Sequence, residues 1–174
     1  MERKYSNRRY LDALEQRVLV YDGPMGTSLQ KMNLGAEDFG GEKYNGCIDY
    51  LVITNPGAVE NVHRSFLDVG ADVLETDTFR ANRLTLDEYD LGDRVFEINT
   101  TAAKLARKLA DEYSTPEYPR FVAGSIGPTG KLPSADDPDL SDITYDELEE
   151  IFCEQAAALL TGGVDLLLIE TSQD

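Results

Sequence analysis

Two hydrophobic periods alternate along the chain. Short apolar runs read as buried strands, and longer stretches between them carry apolar residues at helical spacing. The run "VLVYDG" (18–23) predicts a strand ending in Asp-Gly. The stretch "TNPGAVENVHRSFLDVG" (54–70) predicts a helix. Pro56 suits its first turn, Val59, Val62, Phe66 and Leu67 share one face, and Gly70 supplies the stop. "ADVLETDTF" (71–79) is the second strand, "RVFEINTTAAKLARKLADEY" (94–113) an amphipathic helix, and "RFVAGSIGP" (120–128) the third strand. "TYDELEEIFCEQAAALLTGG" (144–163) is a further helix, with Thr144 and Glu147 at capping-box spacing. "VDLLLIET" (164–171) is the fourth strand, and residues 6–16 predict a short polar helix ahead of the fold.

Strands that alternate with helices run parallel, because each helix carries the chain back to the same end of the sheet. A weak internal echo strengthens this. "SFLDVGADVLET" (65–76) and "ALLTGGVDLLLIET" (158–171) both read helix end, glycine, aspartate, apolar run, Glu-Thr. Repeated units of this kind fit a barrel better than two unlike halves. The expected class is therefore α/β with parallel strands. Polar groups gather at the carboxyl end of every predicted strand: Asp22, then Glu75 to Thr78, then Ser125, then Glu170. That end carries the active site of a barrel and the ligand crevice of an open sheet. Four successive strand ends point to one shared site.

Composition narrows the partners. The 174 residues are 41% hydrophobic and 28% charged, with a net charge of -17. A surface this acidic repels phosphate backbones and anionic lipid heads, which argues against nucleic acid and membranes. No apolar run approaches the roughly 20 residues that span a bilayer, and no apolar segment follows the basic start MERKYSNRR, as a secretory signal would require. Two cysteines make no disulfide framework at this length, so a reducing cytoplasm is the expected setting.

Candidate chemistry is sparse outside the strand ends. "GSIGPTGKLPS" (124–134) departs from a phosphate-binding loop: Ser125 and Leu132 stand where a glycine and a hydroxyl belong, and Pro128 removes an amide. It reads as a tight turn. His63, Cys47 and Cys153 sit at no strand end and lack metal-ligand spacing, so they read as a helix-surface histidine and ordinary thiols. Asp22 and Glu170 differ. Two carboxylates at one mouth suit an acid/base pair for glycoside cleavage, or the capture of an ammonium group. Spacing leaves both open.

The stretch "DGPMGTSLQ" (22–30) resembles the opening motif of the homocysteine S-methyltransferase family, and most nearly its cobalamin-dependent members. The resemblance continues through "YLVITNPGAVENVHRSFLDVGADVLETDTFRANRLTLDEYDL" (50–91), "EINTTAAKLAR" (97–107), "RFVAGSIGPTGKLPS" (120–134) and "GGVDLLLIETSQD" (162–174). It implies a (β/α)8 barrel of which residues 1–174 supply the first four units, residues 1–16 being an N-terminal extension. It further implies methyl transfer to the homocysteine thiol to make methionine. The family's Zn²⁺ is held by three cysteine thiolates after the sixth and last strands, and it makes the substrate thiol a thiolate at neutral pH. Cys47 and Cys153 lie in no matching motif, so those ligands are expected downstream, in a C-terminal half that acts as partner.

By the same resemblance Asp22 and Glu170 bind the homocysteine ammonium and Gly23 leaves room for the substrate. Thr76 and Asp77 line the second strand end, and backbone around Ser125 helps hold the carboxylate. Asp77 stands where relatives often carry asparagine. Methylcobalamin, recharged by methyltetrahydrofolate, is expected to act through other modules. Two alternatives accompany this reading: a methyltransferase that uses S-methylmethionine or betaine, and a non-catalytic truncated product or small-ligand-binding fragment.

Overall fold

The computed structural model of the protein describes residues 8–133 and 142–172. Ser134, the last two residues of "ETSQD", and the first two of the helix expected over 6–16 lie outside the described residues. The elements are α1 (Arg9–Gln16), α2 (Met25–Gln30), α3 (Leu51–Thr54), α4 (Pro56–Asp68), β1 (Val73–Glu75), α5 (Arg83–Asp87), α6 (Val95–Tyr113), β2 (Phe121–Ile126), α7 (Tyr145–Gly162) and β3 (Leu166–Ile169). Single 3-10 turns at Glu42–Tyr44, Ile48–Tyr50 and Gly92–Arg94 complete the described fold.

The sheet is parallel throughout, in the order β1-β2-β3, with Val73 opposite Phe121 and Ala123 opposite Leu166. The strand expected over residues 18–23 is not a strand. It forms one isolated parallel bridge, Tyr21 to Val73. The segment still lies alongside β1: the Asp72 and Val73 amides donate to the Val20 carbonyl at 2.7 and 3.2 Å, and the Asp22 amide donates to Val73 O at 2.9 Å. Its side chains explain the shortfall. Val18 and Val20 are 81% and 55% exposed, so nothing packs the far side of the segment and the ladder does not extend.

Helices and strands meet at a repeated junction. α4 ends in a left-handed Gly70 (φ 98°), with Gly70 N bonded to Leu67 O and Ala71 N to Phe66 O, the paired bonds of a Schellman stop. α7 also ends in a left-handed glycine, Gly163 (φ 94°), whose amide bonds to Leu160 O. Two residues later an aspartate opens the next strand. Asp72 N donates to Val20 O while Val20 N donates to Asp72 Oδ2 at 3.0 Å. Asp165 N donates to Val122 O while Val122 N donates to Asp165 Oδ2 at 2.8 Å. Arginine completes both junctions. Arg17 grips Asp72 through two bonds of 2.8 Å, Arg120 adds a third at 2.7 Å, and Arg107 meets Asp165 at 2.6 Å. The internal echo in the sequence is thus a structural repeat.

β2 is buried at every position, as a central strand covered on both faces must be. α6 crosses α7 closely enough that a Cβ on Gly162 would lie 2.3 Å from Ala103 Cβ and 2.9 Å from Thr100 O. Thr144 and Glu147 form the reciprocal capping box expected for α7. Asn55 and Asn82 cap α4 and α5 by accepting from Ala58 N and Thr85 N. Among the described residues, no helix is long and apolar enough to cross a membrane.

Candidate functional site: a carboxylate-lined cleft at the strand ends

A cavity of about 450 Å³ opens at the carboxyl ends of the strands. Asp22, Gly23, Thr76, Asp77, Ser125 and Glu170 all line it, so the six residues expected at the site lie around one space. Asp49, Glu75, Phe79 and Arg80 join them.

Hydroxyl groups fix the floor. Ser125 Oγ donates to Glu170 Oε1 at 2.6 Å. Ser125 N donates to Thr76 Oγ1 at 3.0 Å, and Thr78 Oγ1 donates to Ser125 O at 2.8 Å. Thr78 has only one hydroxyl proton, so Thr76 donates in the 2.6 Å contact between the two threonines. These bonds tie the end of β2 to the end of β1 and aim Glu170 from the end of β3. They also occupy the Ser125 amide, and Gly127 N is bonded to Phe79 O.

The carboxyl groups form two sets. In the first, Asp22 accepts the Glu75 amide on both oxygens, at 3.1 and 3.2 Å. Burial, and then the charges of Asp22 and Glu170, push the Glu75 carboxyl up to about 7. In the second, Asp49 accepts the Arg80 amide at 2.9 Å, and burial pushes it up to about 6. Asp77 is buried beside it, with Oδ2 lacking a hydrogen-bond partner. Burial first, and Asp49 second, hold the Asp77 carboxyl well above the usual carboxylate range. The Arg80 guanidinium turns to Glu88, at 2.7 and 2.8 Å, and leaves the cleft acidic.

One expectation about the site is corrected by this geometry. His63 is not on a helix surface. It is fully buried, with Nδ1 3.7 Å from Asp22 Oδ2. Its position in α4 carried a signal: residues 59, 62, 63, 66 and 67 fall on one face at helical spacing, and the other four are apolar. Gly23 answers to Phe66 as well as to the cavity: a Cβ there would fall 2.8 Å from the Phe66 ring. Cys47 is buried and Cys153 exposed, both unpaired. Burial pushes the Cys47 thiol up to about 12, the wrong direction for a metal-binding thiolate. Among the described residues, no group of three His, Cys, Asp or Glu side chains could hold a metal ion, so the zinc of the family finds no fit there.

A parallel α/β sheet with buried carboxyl groups converging on a small cleft at its strand ends defines a fold equipped to receive a small cationic ligand. The chain belongs to the homocysteine S-methyltransferase family, whose pattern matches residues 19–174. Methionine synthase of Mycobacterium tuberculosis is 41% identical over 164 residues, and that of Mycobacterium leprae is 40% identical over the same length. Each alignment covers 94% of this chain and 13% of the relative. In fold, the chain is similar to the metallated form of the homocysteine methyltransferase MmuM from Escherichia coli, with a TM-score of 0.70 at 23% identity, covering 94% of this chain and 57% of that one.

Proposed function

We propose that the chain is the amino-acid-holding portion of a methionine synthase, residues 1–174 forming the first four units of a (β/α)8 barrel. The whole protein transfers a methyl group to the thiol of homocysteine. The observation that carries this reading is the convergence of Asp22, Glu75 and Glu170 on one cleft. An α-ammonium group there meets carboxylate acceptors on several sides, in a cleft that partly shields them from water. Ser125 and the Thr76–Thr78 pair hold Glu170 in place, so the acceptor is oriented before the ligand arrives. Holding the backbone of homocysteine at the strand ends leaves its thiol free to reach a metal and a methyl donor outside this portion.

The zinc ligands of that reading lie in the second half of the barrel. Methylcobalamin and methyltetrahydrofolate act through further modules, and the cytoplasm is the setting. Identity of about 40% to two methionine synthases favours the cobalamin donor over S-methylmethionine or betaine. The backbone at Ser125 is a weaker candidate for holding the substrate carboxylate, because its amide is already bonded to Thr76.

The test is homocysteine binding in the full-length protein. Glu170→Ala removes one charged acceptor, worth roughly 1.5–3 kcal/mol, or about 10- to 150-fold in affinity. Calorimetry showing unchanged affinity in that variant removes Glu170 from the site.

A further inference from the structure

His63 is a buried titratable group behind the cleft, beside Asp22, that the proposed site does not use. Its side chain is 1% exposed, and neither Nδ1 nor Nε2 has a hydrogen-bond partner. A leucine would fill such a place without the desolvation cost of two unpaired nitrogens. The neighbour it faces is Asp22, whose side chain is 2% exposed. The separation of 3.7 Å between Nδ1 and Oδ2 exceeds a hydrogen bond by roughly 0.5–1 Å.

α4 fixes this spacing. His63 and Phe66 stand three residues apart and share a helix face. The Phe66 ring packs where a side chain at residue 23 would otherwise lie, so glycine at that position lets the helix approach the 22–23 backbone. The same approach sets the imidazole beside Asp22. Asp22 is also held by the Glu75 amide, which reaches both of its carboxylate oxygens. A carboxylate held between an amide and an imidazole keeps one orientation when a cation arrives.

We propose that His63 is a positioning residue for the ammonium site: with the amino acid bound, its Nδ1–H donates to Asp22 Oδ2 and locks that carboxylate toward the ligand. The imidazole is then the Nδ1-protonated neutral tautomer, and Asp22 accepts from the Glu75 amide, from His63 and from the ammonium. This inference rests on the function proposed above, and its test separates the two.

The experiment uses the full-length protein and three variants, His63→Phe, His63→Leu and His63→Asn. Binding of homocysteine and of 4-mercaptobutyrate, which lacks the amino group, is measured by calorimetry, with thermal melts alongside. The expected result is homocysteine affinity lower by about tenfold in the Phe and Leu variants, with unchanged binding of 4-mercaptobutyrate and a melting temperature equal to or above that of the parent. Asparagine, whose side-chain amide overlays Nδ1, restores homocysteine binding. Parent-like homocysteine affinity in both the Phe and Leu variants overturns the proposal, as does equal weakening of both ligands, which marks a merely structural histidine. Nitrogen NMR of the parent reads the tautomer directly. An Nδ1 without a proton refutes the role of His63 and leaves the functional reading standing. Failure of the parent to bind homocysteine refutes the functional reading and, with it, this role.

Discussion

Asp72→Asn tests the anchoring end of the fold. The Asp72 carboxylate is buried and accepts four bonds: two from Arg17 at 2.8 Å, one from Arg120 at 2.7 Å and one from Val20 N at 3.0 Å. Asparagine keeps the shape and removes the charge, leaving two guanidinium groups without their counter-ion. Breaking a buried pair by removing one partner costs about 3–5 kcal/mol. The Arg17 side chain is 30% exposed and that of Arg120 13%, so water recovers part of this and about 3 kcal/mol is the working figure. For a chain of this size each kcal/mol moves the melting temperature by about 2–4 °C, which gives a fall of about 6–12 °C.

The assay is thermal and urea unfolding followed by circular dichroism, at pH 7 and again toward pH 3. Burial tends to raise the Asp72 carboxyl, but the Arg17 hydrogen bonds, the Val20 amide and the charges of Arg17 and Arg120 outweigh it and hold it below its ordinary value. A depressed carboxyl contributes stability that is fully present above the unfolded value of about 3.9 and is lost as pH falls through the folded one. The gap between parent and variant therefore narrows below about pH 4. A shift under about 2 °C at pH 7, or a gap that stays constant to pH 3, refutes the account.

Three further outcomes are expected. Because Glu75 is held up to about 7, it is largely protonated at pH 6 and ionised at pH 8, so homocysteine affinity of the full-length protein rises across that range. Glu75→Gln flattens the rise, and a flat parent curve by calorimetry excludes Glu75 from the ammonium site. Gly162→Ala forces α7 away from Ala103 and the Thr100 carbonyl, at about 1–3 kcal/mol by overpacking; an unchanged urea midpoint counts against the close crossing. The 174-residue chain alone presents Val18, Val20 and Ile169 to water along the two sides of the sheet, so it self-associates or binds apolar dyes. Sedimentation velocity that shows a compact, dye-silent monomer contradicts this.

Most elements were readable because their signals are local. α4 shows its asparagine cap, its proline and its glycine stop, and α7 shows its capping box. β2 and β3 are apolar runs between helices. The strand over 18–23 was misread because strand formation depends on what lies beside a segment, and residues 18–20 face water on one side. The short α2, α3 and α5 are too brief for periodicity to declare them. At the site, residues placed by strand ends and by the family pattern all reached the cleft. Asp49 reaches the cleft from a turn and His63 reaches Asp22 from a helix, through the packing of those elements around the strand ends.

The aspartate before β1 and before β3 has a consequence for how the chain is built. At Val20 and again at Val122, one residue of the earlier segment both gives its amide to the aspartate carboxylate and takes the aspartate amide on its carbonyl. β1 and β3 thus each carry a fastener to a segment already synthesised, and a slip of one residue would lose both bonds along with the face alternation. Register is set pairwise, in the order of translation, without waiting for a ring to close. A gene copying such a unit copies the fastener too, so growth of the sheet by tandem duplication needs no new means of alignment.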